Sequence, residues 1–274
     1  MRIVFDVGGT TTRIAGSIDG KTIGDPVIFE TPKKFERFVR SFLEALDRVA
    51  KNISVDSVAG GIAGVISSDG VIIRSPNLRG FEGKAFVATI SKRVKSNVYV
   101  ENDCVMVGLG ELSKQPSSGR SGIAAYVTIS TGVGASRFVR GVPDHHRFSF
   151  EPGQQFIMYE NKKPITWESL VSGTSIKKST GKIPSDIKDR KFWKTEAELI
   201  AIGLINMIVH WTPDVVILGG GVITKTDISV FEIERFIKRY LHIYPEIPEI
   251  KKAQLGDFGG LYGALEYLRM KEKK

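Results

Sequence analysis

FDVGGTTTRIA at 5–15 is the stretch from which the fold is read. The apolar run RIVFDV ends at a pair of glycines, Gly8 and Gly9, and three hydroxyl residues, Thr10, Thr11 and Thr12, open the next apolar run. Two short apolar runs joined through Gly-Gly make a tight strand-turn-strand. The paired glycines let backbone N–H groups approach an anion with no side chain in the way. Asp6, at the strand end, can hold a hydrated Mg²⁺. By itself the segment is equally an ordinary hairpin, for which Gly-Gly is common turn chemistry.

Outward from that stretch, a third run ending PVIFE completes an antiparallel meander. From Lys33 to Lys51 the period changes: Phe35, Phe38, Phe42, Leu46 and Val49, with Val39 beside them, share one helical face. SVAGGIAGVI at 57–66 reads as a buried strand running into a glycine turn, and a helix is expected over about 81–96. NVYV then leads to the END turn at 101–103. The theme repeats with IAAYVTIS and GASRFVRG as strands hinged on Thr131-Gly132-Val133-Gly134. The segment from about Pro143 to Lys191 is polar and lacks periodicity, so it is expected to carry insertions and short helices, where sites often lie. Helices are predicted at 193–211, about 227–243 and from about Phe258, with the strand DVVILGGG between the first two.

This is an α/β pattern of two similar halves. The expected division is a small N-terminal lobe, 1–104, completed by the helix 258–274, and a larger lobe, 105–257. A chain of 274 residues with 42% hydrophobic content supports two cores. No stretch approaches the roughly 20 apolar residues of a membrane span, and the N-terminus reads as a buried strand, so a cytoplasmic protein with no membrane partner is expected. The single cysteine, Cys104, excludes an internal disulfide. The net charge of +9 is spread over pairs such as Lys33-Lys34, Lys177-Lys178 and Lys251-Lys252 with acidic neighbours, which argues against a nucleic-acid partner.

Neither GxxxxGK[ST] nor GxGxxG is present. Instead there are three glycine loops in their own strand contexts: DVGGTTTR at 6–13, STGVG at 130–134 and LGGGV at 218–222. With GIAGVI, SPNLRGF, VENDCVMVGLGE, EPGQ and WESLVSG in order between and around them, nearly the whole chain resembles the ROK group of sugar kinases. That group is a branch of the actin/hexokinase/Hsp70 superfamily and includes glucokinases. The resemblance implies a two-lobed actin-like, ribonuclease H-like ATPase fold with a duplicated mixed β-sheet core flanked by helices. It implies ATP-dependent phosphorylation of a hexose, glucose first, at the 6-hydroxyl.

By the same resemblance Asp103 is the catalytic base, although alone it would read as the N-cap of a helix at 104–113. Phosphoryl transfer needs such a carboxylate to receive the hydroxyl proton, with Mg²⁺ offsetting charge. Asn77, Asn102, Asp103, Glu151, Gln154 and Glu168 are expected to bind the sugar. Asp6, Gly8, Gly9, Thr10, Thr11, Thr131, Gly132, Gly219, Gly220 and Gly221 are expected to hold Mg-ATP, with Asp6 reaching the metal through water.

Three departures from the family pattern follow. Gln154 stands where the Glu-x-Gly-His segment has histidine, the CxCGxxGC zinc motif is absent, and Ser130 and Ala135 replace glycines of the second phosphate motif. No structural zinc is therefore expected. His145-His146 is read as a polar loop and Cys104 as a small packed residue rather than a nucleophile. A noncatalytic sugar sensor or repressor of the same family would carry an added N-terminal helix-turn-helix, whereas the phosphate strand here begins at Met1. Kinases for N-acetylhexosamines or other hexoses remain alternatives, an acetate kinase or polyphosphate-cleaving enzyme is disfavoured by EPGQ and WESLVSG, and a homodimer is the usual assembly of relatives.

Overall fold

The computed structural model describes residues 1–115, 121–144 and 149–272. They form two compact units, one of Met1–Lys114 with Asp257 onward, the other mainly of Gln115–Asp144 and Phe150–Gly256.

In the first unit, β1 (Arg2–Val7), β2 (Thr11–Ser17) and β3 (Val27–Glu30) form the antiparallel meander that the apolar runs foretell. β4 (Ser57–Ile62) lies parallel to β1 on its other side, and β7 (Asn97–Asn102) lies parallel to β4, giving the order β3-β2-β1-β4-β7. A short hairpin, β5 (Val65–Ile66) and β6 (Ile72–Arg74), follows β4. Helix α1 (Phe35–Ala50) buries Phe35, Phe38, Phe42 and Leu46 as its period requires. Phe38 and Phe42 pack with Phe5, Phe81 and Phe86 at centroid distances of 4.8–6.3 Å. Ring pairs of this kind add to simple area burial.

The helix expected from about 81 starts later. Arg79–Phe81 is a single 3₁₀ turn, Gly83 takes φ +75°, and only then does α2 (Phe86–Val94) begin. Glu82 is already extended (φ −60°, ψ 134°) and Gly83 is left-handed, so the turn cannot run on into an α-helix and α2 starts later.

Helix α3 (Asp103–Ser113) packs along α9 (Gly259–Glu272) at close range. A Cβ at Gly110 would lie 2.3 Å from the Gly259 carbonyl oxygen, and one at Gly263 would lie 1.5 Å from the Met106 carbonyl oxygen. Only glycine allows these backbones to touch. That contact binds all of α3 to the C-terminal helix, so the division expected at 104/105 falls instead after Lys114.

The second unit repeats the sheet. β8 (Ile123–Ile129), β9 (Val133–Val139) and β10 (Val142–Pro143) form the meander, with β13 (Val215–Gly219) and β14 (Glu249–Lys252) parallel beyond β8. The order β10-β9-β8-β13-β14 has the same pairing sense as the first sheet. This is the duplicated mixed sheet of the actin-like fold.

The aperiodic middle segment contains a hairpin, β11 (Phe156–Glu160) with β12 (Lys163–Thr166), and two short helices, α4 (Glu168–Val171) and α5 (Gly173–Thr180). Helix α6 (Arg190–Trp211) buries Trp193, Ile200, Leu204 and Ile208 against the sheet core. A short turn of helix, α7 (Gly221–Thr224), follows β13, and α8 (Val230–Tyr240) is shorter than the expected 227–243. Ser229 caps its first turn by accepting from Glu232 N–H, and the chain leaves helical geometry at Leu241 (φ −91°, ψ 97°). The expected polar loop at His145-His146 lies outside the described residues. Among the described residues, no helix is long and apolar enough to cross a membrane.

Candidate active site

In each unit the predicted functional loops gather at the carboxyl ends of the parallel strands. In the first unit β1 ends at Val7, β4 at Ile62 and β7 at Asn102, with the loops at 8–10, 63–64 and 102–103 following. In the second, β8 ends at Ile129 and β13 at Gly219, followed by 130–132 and 220–221. Open α/β sheets bind ligands at this edge because the loops there converge while the sheet itself is filled by its own packing.

Asp103 occupies the first position of α3. The cap is supplied by its neighbour: Asn102 Oδ1 accepts from the Cys104 N–H at 2.8 Å. Asp103 Oδ1 also receives that N–H, at 2.9 Å. Asn102 is thus the N-cap, and Asp103, inside the first turn, shares the same N–H. Asn102 Nδ2 donates to the Gly64 carbonyl at 2.9 Å, so the amide ties the end of β7 to the turn after β4. One N–H and one lone pair of Asn102 remain for a ligand.

Asp6 stands in register with Gly61 of β4, and Gly61 lies under Asp103, so the two carboxylates belong to one neighbourhood. Burial, then the charge of Asp103, push Asp6 up to about 7, against the opposing pull of Arg13. Burial also raises Asp103, opposed by the hydrogen bond from Cys104 N–H. Two half-buried carboxylates with one guanidinium, Arg13 at 3.5 Å from Asp6, leave a local excess of negative charge. A divalent cation is the natural complement. Among the described residues no three His, Cys, Asp or Glu converge on one point. This donor set fits Mg²⁺, which takes one or two carboxylates and fills its other positions with water and phosphate oxygens.

The loop at 8–11 is drawn tight by Gly8 N–H donating to the Thr11 carbonyl at 3.0 Å. Gly9 abuts Asn77, whose Cβ would be 2.8 Å from a Cβ at position 9. Asn77 is exposed and reached through Ser75, whose buried hydroxyl donates to the Ala63 carbonyl at 2.5 Å. Asn77, Asn102, Asp103, Asp6 and the first glycine loop are therefore neighbours within one unit.

In the second unit, Glu168 at the start of α4 accepts from Val133 N–H at 2.7 Å and from Gln154 Nε2 at 3.2 Å. A Cβ at Gly132 would sit 2.5 Å from Glu168 Oε2, so the carboxylate lies flat on the STGVG loop. Gln154 closes a 3₁₀ turn, Pro152–Gln154, begun by Glu151, whose carbonyl accepts from Gln154 N–H at 3.0 Å. These contacts bring Glu151, Gln154, Glu168 and Thr131-Gly132 together. Ser130, which replaces a family glycine, uses its N–H on the Gly132 carbonyl at 2.8 Å and its own carbonyl on Gly173 N–H at 2.7 Å. Gly220, at φ +85°, turns against Ile129, placing Gly219, Gly220 and Gly221 beside the same loop.

Sequence reasoning did not single out Arg13, Asp257 or Gly260. Arg13 faces Asp6 across the β1–β2 register and reaches Asp257 at 3.8 Å. Gly260 in α9 packs on the Asp6 carboxyl, where a Cβ would be 3.1 Å from Cγ. The Asp6–Arg13 opposition could have been read from the hairpin register. The C-terminal helix was expected to complete this unit, but the specific approach of Gly260 to Asp6 could not be read, because the two residues are almost the full chain apart.

The sequence profile described as ROK family matches residues 2–148 and 154–271. A fructokinase of Pediococcus pentosaceus is 27% identical over 286 residues, covering 95% of this chain and 95% of its own length. A ROK hexokinase of Thermus thermophilus superposes with a TM-score of 0.83 at 25% identity, covering 98% of this chain and 99% of that one. A ROK family glucokinase of Streptomyces griseus, in complex with glucose and AMPPNP, superposes with a TM-score of 0.82 at 21% identity over 98% and 99% of the two chains.

Proposed function

Because this chain belongs to the ROK family, we propose that it is a sugar kinase that transfers the γ-phosphoryl group of ATP to the 6-hydroxyl of a hexose, glucose first. The observation that carries this reading is the Asp103 carboxylate, at the first position of α3 and held beside Asp6 at the edge where the glycine-threonine loop emerges.

In this reading Asp103 accepts the proton of the attacking hydroxyl. Burial raises its affinity for protons above that of an exposed carboxylate, which favours taking up the hydroxyl proton. Asn77, Asn102, Glu151, Gln154 and Glu168 position the sugar, the carboxylates through charge-assisted bonds to its hydroxyls. Gly8, Gly9, Thr10 and Thr11 of the first loop, Thr131 and Gly132 of the second, and Gly219–Gly221 hold the nucleotide. Asp6 would hold Mg²⁺ through water, and the metal would offset phosphate charge. Enzymes of this class work mainly by positioning and electrostatics, which fits a site built from backbone loops and fixed carboxylates.

The test is a screen of glucose, fructose, mannose, N-acetylglucosamine and N-acetylmannosamine against ATP, ADP and polyphosphate. Turnover of at least one sugar with ATP is expected, with glucose foremost. No phosphorylation of any sugar by any donor would exclude the kinase and favour a noncatalytic sugar sensor.

A further inference from the structure

The three peptide carbonyls of the first glycine loop are all engaged from one side, by the short segment joining β3 to α1. The Thr31 hydroxyl donates to the Gly8 carbonyl at 2.9 Å, the Lys33 ammonium donates to the Gly9 carbonyl, and Thr31 N–H donates to the Thr10 carbonyl at 2.8 Å. In a trans peptide the N–H points opposite to the C=O. Holding these carbonyls back turns the N–H groups of Gly9 and Thr10 the other way, and among the described residues neither of those two N–H groups has an acceptor.

The segment is itself rigid. Thr31 is 1% exposed and Thr12 is 0% exposed, and their hydroxyl oxygens are 2.9 Å apart. Since the Thr31 proton goes to Gly8, Thr12 must be the donor of that pair, so Thr12, Thr31 and Gly8 form a directed chain. The Lys33 backbone is fixed by Gly80, at which a Cβ would lie 2.2 Å from the Lys33 carbonyl oxygen. The ammonium charge also polarises the Gly9–Thr10 peptide and makes its N–H a stronger donor.

We propose that Thr31 and Lys33 are positioning residues for the nucleotide's phosphates: they clamp the loop from behind so that Gly9 and Thr10 present a preformed pair of N–H donors to phosphate oxygens. Neither side chain touches the phosphate. Their effect is that the loop is ordered before binding, so the ordering cost is not charged against affinity. The proposal rests on the kinase reading above.

The test compares Thr31→Val, Thr31→Ser, Lys33→Met and Lys33→Arg with the wild-type chain by calorimetric titration of Mg-AMPPNP and, separately, of glucose or the best sugar from the screen. One lost hydrogen bond at this site corresponds to an affinity loss of about 3- to 10-fold. Thr31→Val and Lys33→Met are expected to weaken Mg-AMPPNP by about that factor while sugar affinity stays within about twofold. Thr31→Ser and Lys33→Arg should recover most of the loss. Lys33 is exposed, so its variants keep the test decisive should Thr31→Val fail to fold. Wild-type binding of AMPPNP with both Lys33→Met and a folded Thr31→Val unaffected, or an equal loss for sugar and nucleotide, would overturn the clamp alone. Absence of AMPPNP binding by the wild type would overturn the kinase reading itself.

Discussion

Gly61 of β4 lies directly beneath Asp103 at the start of α3: a Cβ at position 61 would come within 2.9 Å of the Asp103 Cα and 3.3 Å of the Met106 Cβ. The first turn of α3 can lie this close to β4 because the strand residue beneath it has no side chain. Gly61→Ala is expected to lift the first turn of α3 and move the Asp103 carboxylate. A misplacement of about 1 Å can cost on the order of 10²-fold in rate. Steady-state kinetics should show kcat falling by at least tenfold, and a wild-type kcat would separate the carboxylate's position from the chemistry.

Asp103→Asn keeps the shape of the side chain and the acceptor for Cys104 N–H, but removes the proton acceptor. Turnover should fall by about 10²–10⁴-fold while sugar and Mg-AMPPNP still bind. A kcat within about tenfold of wild type would exclude Asp103 as the base.

Gln154 and Glu168 share a hydrogen bond at 3.2 Å, so the amide restrains a carboxylate proposed to bind sugar. Gln154→His places an imidazole where the amide stands, and Gln154→Ala releases Glu168. Both should change the ratio of kcat/KM between glucose and N-acetylglucosamine. An unchanged ratio in both variants would remove Gln154 from the sugar site.

Glu196 in α6 is 7% exposed, its Oε2 has no hydrogen-bond partner among the described residues, and burial pushes its carboxyl from 4.5 up to about 7. A raised value in the folded state means that the fold binds this proton more tightly than the unfolded chain does. The resulting stabilisation is full below about pH 4.5 and is lost as pH rises to about 7. At about 1.4 kcal/mol per pH unit the interval corresponds to roughly 3 kcal/mol. Glu196→Gln, which mimics the protonated form, should raise Tm above pH 7 and leave it nearly unchanged near pH 4.5. Thermal melts at several pH values that show a constant difference would refute this.

Metal dependence should follow the donor chemistry. Purified protein is expected to lack stoichiometric zinc and to survive zinc-selective chelation, because a closed zinc site needs about four nitrogen or sulfur ligands and the chain has one cysteine and Gln154 in the family's histidine position. Transfer should require Mg²⁺. One zinc per chain by elemental analysis, or activity without Mg²⁺, would contradict this.

The sequence by itself determined the first meander, the strand pair at the start of the second half, the amphipathic α1 with its phenylalanines, the duplicated pattern, and the order of the loops at 6–13, 130–134 and 218–222. Each is a local signal, written in the spacing of apolar residues and in glycine pairs. It could not place the start of α2, because the 3₁₀ turn at Arg79–Phe81 and the left-handed Gly83 interrupt an otherwise helical composition. Nor did it assign the cap of α3 to Asn102 rather than Asp103, since both residue types cap helices and only the hydrogen bond decides. Tertiary structure alone brought Thr31 and Lys33 behind the glycine loop, set Gly260 against Asp6, and left the Glu196 carboxyl buried. Such contacts depend on where distant segments cross. Isolated Thr, Lys, Gly and Glu residues have no periodicity that records which backbone they will meet.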